Sequence, residues 1–136
     1  MSNDFVPNGA IATIGTGTVA EAVDRLLAAV EAHEKISLVT KVDHQAAASK
    51  VGLELDPIVL IIVGNPALGS LLMQAAPSVA IDLPMKILIR QMGDGVQVLH
   101  NDPAYLAKRH QINEDLPQLA VGSGALQSLA NVAAGI

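Results

Sequence analysis

With 136 residues the chain is of single-domain size and long enough to bury a core without covalent staples. It contains no cysteine, which excludes disulfides and thiolate metal sites. Its net charge is −5 and its only aromatics are Phe5 and Tyr105, so both the basic footprint and the stacking platforms of nucleic-acid binders are missing. Apolar residues make up 51% of the chain. Yet the longest apolar run is Ile58–Val63, far short of the roughly 20 residues that span a membrane. The start Met1-Ser2-Asn3-Asp4-Phe5 lacks the basic and then apolar pattern of a secretory signal. The expectation is a soluble, cytoplasmic protein with no membrane and no nucleic-acid partner.

Residues 1–9 read as a loose leader. Ala10–Ile14 suits a first strand, ended by Gly15-Thr16-Gly17. Thr18 and Glu21 have capping-box spacing. Val19, Val23, Leu26, Leu27 and Val30 recur at helical intervals, which predicts a helix over 19–32. Glu21–Arg25 and Glu31–Lys35 are i,i+4 pairs for its wet side.

Residues 36–44 alternate as a strand, with Ile36, Leu38 and Val42 on a covered face and His44 at its end. A short helix over 46–51 closes at Gly52. Residues 58–63 have no polar face and predict a central strand. Gly64-Asn65-Pro66 then supplies an N-cap and a first-turn proline for a helix to Ala75, stopped by Pro77.

Met85–Gln91 and Val96–His100 read as a hairpin about Gly93-Asp94-Gly95. Asn101-Asp102-Pro103 repeats the cap-plus-proline device for a helix to His110. Leu126, Leu129, Ala130 and Ala133 suggest a last helix, whose start Gly122 and Gly124 obscure. The order β-α-β-(α)-β-α-β-β-α-α indicates a two-layer α+β domain over 1–136, a small and mostly antiparallel sheet packed by helices.

Each polar candidate has a functional and a structural reading. Gly64 and Asn65 place free backbone N–H groups at a helix start after a buried strand, an anion or carbonyl subsite. Structurally, Asn65 caps its own helix. Asp43 and His44, as adjacent strand residues, point to opposite faces and do not form a dyad. His44 is either a general base lining a pocket or a hydrogen-bonded strand end. Asp82 and Lys86 flank Pro84. They either face a cleft, with Lys86 gripping an acidic ligand, or serve as a turn carboxylate and a solvated lysine.

Asn101 and Asp102 precede a helix that Asp102 caps; Tyr105 packs with a wet tip; Arg109 has Asp82 or Asp102 as partner. His33 and His110 read as solvated residues at helix C-termini. The four histidines have no metal-binding spacing, so no metal site is expected, and no cofactor is named by any motif.

Asp43-His44, Val51-Gly52-Leu53-Glu54-Leu55, Gly64-Asn65-Pro66, Asp82-Leu83-Pro84, Lys86, Asn101-Asp102-Pro103, Tyr105-Leu106-Ala107 and Arg109-His110 follow one another in an order that resembles the bacterial and archaeal domain-of-unknown-function family 302. The similarity covers about 10–112 and leaves 113–136 as a C-terminal helical segment. It implies a compact α+β fold with a TATA-binding-protein-like sheet, by architecture alone. It carries no activity. Its recurrent polar positions correspond here to Asp43, His44, Asn65, Asp82, Lys86, Asn101 and Asp102.

Three functions follow. The first is a small-molecule binding module working as a homodimer, the dimer suggested by the apolar excess and the Ala/Gly/Leu-rich C-terminus. The second is an enzyme with His44 as base, Asp82 or Asp102 as its carboxylate, and Lys86 or the Asn65 helix start stabilising negative charge. The third is a structural or interaction protein in which the polar residues are caps and turns. The first two require those side chains to gather at one rim of the sheet.

Overall fold

The computed structural model describes residues 5–136; Met1–Asp4, with that part of the expected leader, lie outside the described residues. The first strand, β1 (Ala10–Thr16), leads through Gly17 into α1 (Val19–Ala32). The expected capping box forms. Thr18 Oγ1 accepts from the Glu21 N–H at 3.1 Å, and the Thr18 N–H donates to Glu21 Oε1 at 2.9 Å. Val19, Ala22, Val23, Leu26 and Val30 are the buried face of α1.

The chain continues through β2 (Ser37–Asp43), α2 (His44–Lys50), β3 (Ile58–Gly64) and α3 (Pro66–Ala75). A 3-10 helix over Pro77–Asp82 precedes β4 (Met85–Met92), β5 (Gly95–Asn101), α4 (Pro103–Arg109) and α5 (Pro117–Ala134). Met92 faces Gly95 across a two-residue turn in which Gly93 has φ +59°, the left-handed start that favours glycine in a hairpin.

The five strands lie in the order β1-β5-β4-β3-β2, and every neighbouring pair is antiparallel. Register sorts the side chains into two sets. Ile61 and Val63 stand opposite Ile87 and Met85, Ile89 opposite Val98, and Ile87 opposite His100. This set faces α1 and α5 and forms the main core with Leu26, Leu126, Leu129 and Ala130. The other set, Leu60, Leu88, Leu99 and Ala12, forms a stripe across the opposite face. The helices packed on β4 and β5 are α1 and α5, which share the first face.

Three expectations are corrected. Residues 36–44 are not a strand with a covered face: β2 is an edge strand, and Leu38 and Val39 are 46% and 55% exposed. A register shift between Leu38 and Thr40 breaks the alternation, and of the three apolar residues assigned inward only Ile36, just before the strand, is buried. His44 is not a strand end but the first residue of α2. The helix pairs Glu21–Arg25 and Glu31–Lys35 do not close as ion pairs. Instead Arg25 donates to the carbonyls of Ala133 (2.7 Å) and Val132 (3.2 Å) at the C-terminus of α5, where a cation suits the helix dipole.

The C-terminal segment is part of the same core. Gly122 and Gly124 lie within an unbroken α5 that contributes Leu126, Leu129, Ala130, Ala133 and Ala134 to the main core. Its apolar surplus is therefore largely buried in the chain itself, and it is no argument for a dimer.

Candidate functional site

One end of the fold is hollow. Beyond the last residues of β3 and the first of β4, a cavity of about 410 Å³ opens between α3, the 3-10 helix, α4 and α5. Val63 and Met85 close it from the sheet, and Leu68, Leu72 and Met73 from α3. Val79, Ala80 and Leu83 wall one side, with Leu106, Ala107 and Ile112 beside them and Ala125 and Leu126 behind. The volume lies in the range of small-molecule sites, and the lining is almost wholly aliphatic. Asn65 and Ser70 are its polar side chains. Asn65 Oδ1 accepts from the Leu68 N–H at 3.2 Å as the cap of α3, which leaves its amide N–H groups for a visitor. A small residue shapes the wall: a Cβ on Gly122 would come within 2.6 Å of Leu68 Cδ2, so α5 approaches α3 there.

The sheet gathers only part of the expected site. Gly64 pairs with Ser37, while Val59 pairs with Asp43 at the other end of β2. Gly64 and Asn65 thus reach the cavity, and Asp43 and His44 sit at the opposite end, roughly 16 Å away along the strand at 3.3 Å per residue. Asp43 is the N-cap of α2, its Oδ1 accepting from the Ala46 N–H at 2.9 Å. It borders a second depression, with Asp24, Lys41 and Asp94, where the hairpin turn meets α1.

Lys86 and Asn101 are at the cavity's end of the sheet but on the face turned away from it, since Lys86 pairs with Ile62 and Asn101 with Ala10. Lys86 Nζ donates to the Pro84 carbonyl at 2.9 Å. Asp102 caps α4 through the Ala104 N–H at 2.9 Å. The proposed enzyme site of His44 with Asp82, Asp102 and Lys86 is accordingly excluded by register: its base and its acids belong to opposite ends.

Asp82 has a different histidine. His110 Nε2 lies 2.5 Å from Asp82 Oδ2, and its Nδ1 lies 2.8 Å from Ser78 Oγ. Arg109 Nη1 donates to both oxygens of Asp82 at 2.8 and 2.9 Å. The His110 side chain is 7% exposed and that of Asp82 15%, so His110 is not the solvated helix end expected of it. Burial by itself raises the Asp82 carboxyl, but the hydrogen bond from His110 and the Arg109 charge outweigh it and hold the group below the usual carboxylate range.

Sequence reasoning missed Ser78 and His110. Their signal was weak, because Pro77 reads as a helix stop and His110 as a helix end. Only Asp82 as one of two partners for Arg109 was legible.

A further histidine is buried without a partner. His100 is 3% exposed on the helix-facing side of β5, and neither ring nitrogen has a hydrogen bond among the described residues. Desolvation lowers its pKa, opposed by the Asp102 carboxylate. Among the described residues, no cluster of three or more His, Asp or Glu side chains is disposed to hold a metal ion. None of their helices is long and apolar enough to cross a membrane.

This sheet, with its proline-started helices α3 and α4, carries a known family pattern: residues 12–133 match the family model described as Domain of unknown function DUF302. The chain belongs to DUF302. The match runs through α5, beyond the 10–112 limit that the sequence motifs suggested. A crystal structure of an uncharacterised conserved DUF302 protein from Bacillus stearothermophilus superimposes with a TM-score of 0.73. It is 15% identical and covers 95% of this chain and 98% of that one, a likeness of fold.

Two curated relatives are named fluoride-specific ion channels. FluC 1 of Brucella suis biovar 1 is 38% identical over 109 residues, 79% of this chain and 42% of that protein. FluC 2 of Brucella melitensis biotype 1 is 38% identical over 109 residues and 40% of its length. This DUF302 chain spans about two fifths of the length of the curated relatives it matches.

Proposed function

We propose that this DUF302 chain is a single folding unit that binds a small, largely apolar molecule in the cavity between α3, the 3-10 helix, α4 and α5. The supporting observation is the cavity of about 410 Å³, aliphatic on nearly all sides, with Asn65 as a polar group beside it. Such a lining favours hydrocarbon over charge, and Asn65 can orient one polar end of a ligand. In this reading the conducting activity named for the longer relatives belongs to the rest of those chains, and the DUF302 part is a binding module joined to it.

The test is a thermal-shift and calorimetric screen with medium-chain fatty acids, alcohols and cyclic terpenoids, repeated on Gly69→Leu. A Cβ at Gly69 meets only Leu83 Cδ1 and Met73 Cε, at 3.8 and 3.9 Å, so a leucine there fills the cavity without a clash at its base. Stabilisation of the wild type that is absent in Gly69→Leu supports the reading. An unresponsive wild type across all three classes removes it.

A homodimer is a second reading, and it now rests on the sheet. Ile14 is 54% exposed, and Leu60, Ile62, Leu88 and Leu99 are half-buried on the face away from α1 and α5. Together they form a continuous apolar stripe of the kind that marks an interaction surface. Two copies meeting through these stripes would bury them, and Leu88→Glu would then return the chain to monomer mass in light scattering. A monomeric wild type at working concentration rules this reading out.

A further inference from the structure

We propose that Ser78, His110 and Asp82 form a nucleophilic relay that transfers the acyl group of a small ester, with Ser78 Oγ as nucleophile and His110 as its base. The geometry has the three parts such chemistry needs: a hydroxyl, a base in hydrogen-bond reach of it, and a third group that orients the base. Ser78 Oγ and His110 Nδ1 are 2.8 Å apart, and His110 Nε2 and Asp82 Oδ2 are 2.5 Å apart. Arg109 holds Asp82 through both carboxylate oxygens.

The direction of the relay follows from the proton inventory. An ionised Asp82 only accepts, so the proton in the His110–Asp82 bond belongs to Nε2. The neutral imidazole then has its lone pair on Nδ1, and that lone pair faces the Ser78 hydroxyl. Ser78 and Asp82 lie in one short 3-10 helix and His110 caps α4, so two elements fix the three groups. Ser78 itself is exposed and open to an incoming molecule.

Three residues on, Ile81 is 75% exposed, and residues i and i+3 of a 3-10 helix share a face. An apolar side chain therefore stands beside the hydroxyl, which suits a short aliphatic acyl group. Ser78, Asp82 and His110 are not among the residues that line the cavity, so the relay does not depend on the cavity's being a ligand site.

In the step, Ser78 Oγ bonds to the acyl carbon and its proton passes to His110 Nδ1. The bond from the acyl carbon to the alcohol oxygen breaks, and the alcohol leaves with that proton. Water then repeats the sequence against the acyl-serine, yielding the acid and restoring Ser78. Ester and water enter; acid and alcohol leave. Ser78 and His110 are the catalytic residues, and Asp82 and Arg109 are positioning residues.

The probe is a small alkyl fluorophosphonate, whose P–F bond is replaced by a bond to Ser78 Oγ with loss of fluoride and transfer of the serine proton to His110. Intact-mass spectrometry should show one adduct, mapped to Ser78 and absent from Ser78→Ala. Labelling of His110→Gln should be at least about 100-fold slower, the usual scale of a general base. The wild-type labelling rate should depend on pH, and Asp82→Asn should alter that dependence, which a purely mechanical clasp between the two segments would not produce. Because His110→Gln and Asp82→Asn also weaken packing, circular dichroism establishes that each is folded, and the exposed Ser78→Ala serves as the control for fold. No adduct on the folded wild type, an adduct elsewhere, or Ser78 labelling indifferent to His110 would each overturn the proposal.

Discussion

Asp82 and His110 are 28 residues apart in the chain and 2.5 Å apart in space, and through them the 3-10 helix before β4 is bound to the end of α4. The carboxylate is also held by Arg109, so one acid serves two cations or donors at the edge of the cavity wall. Asp82→Asn removes the charge from both contacts. Charge-assisted hydrogen bonds contribute about 1.5–3 kcal/mol each when well enclosed. Arg109 is half exposed, so the expected loss is nearer the low end, about 2 kcal/mol in all.

The pH dependence has a definite sign. The folded carboxyl lies below its ordinary value of 3.8. The stability it confers is therefore fully present above pH 3.8 and is lost as pH falls through the lower folded value. Urea denaturation of wild type and Asp82→Asn should differ most near neutrality and converge in strong acid.

His100 adds a pH dependence of the same sign nearer neutrality. Its burial lowers the pKa from the ordinary 6.5, so the folded ring resists a proton that the unfolded ring accepts. Stability is complete above pH 6.5 and declines as pH falls from there toward the depressed folded value. His100→Leu keeps the volume and removes two buried nitrogens without partners. It should gain about 1 kcal/mol at neutral pH, the lower end of the cost of unsatisfied buried polar atoms. The slope of stability between pH 7 and pH 5, followed by denaturation at fixed ionic strength, should flatten.

What was legible in the sequence was whatever neighbours in the chain decide. Thr18 and Glu21 are three residues apart and formed their box; Asn65 and Asp102 precede prolines and became caps; Gly93 set the hairpin. The two layers and the element order followed from the same local signals. The site was less legible because it depends on register and long-range packing. The alternation of Leu38 and Val42 marks a covered face only if a layer lies over that edge, and in β2 Leu38 is exposed and Val42 only half-buried. Asp43 and Gly64 have equally convincing motifs, but antiparallel pairing of β2 with β3 carries them to opposite ends. Ser78 has no motif at all; its meaning comes from a histidine 32 residues later.

Arg25 offers a test of how α5 is attached. Its guanidinium reaches the carbonyls of Val132 and Ala133 in the last turn of the helix, as well as Thr16. Arg25→Met retains much of the apolar stem and loses the donors. An expected cost of about 1–2 kcal/mol, from hydrogen bonds to a charged group near a helix C-terminus, is measurable as a fall in Tm. Arg25→Lys should recover only part of it, because one ammonium cannot reproduce the fork across two carbonyls.

Two glycines separate close packing from helix propensity on the same scaffold. A Cβ on Gly15 would lie 2.3 Å from the Ala134 carbonyl oxygen and 2.5 Å from its Cα, both backbone atoms that cannot rotate away. Gly15→Ala must therefore push the C-terminus of α5 off β1, at a cost of about 1–3 kcal/mol for an overpacked contact. Gly124 is within α5 and a Cβ there meets nothing within 4 Å. Gly124→Ala should instead stabilise the chain by about 0.5–1 kcal/mol through the lower backbone entropy of alanine in a helix. Thermal denaturation of the two variants should move Tm in opposite directions. A neutral Gly15→Ala would mean that α5 does not close on β1 as tightly as the contact between Gly15 and Ala134 requires.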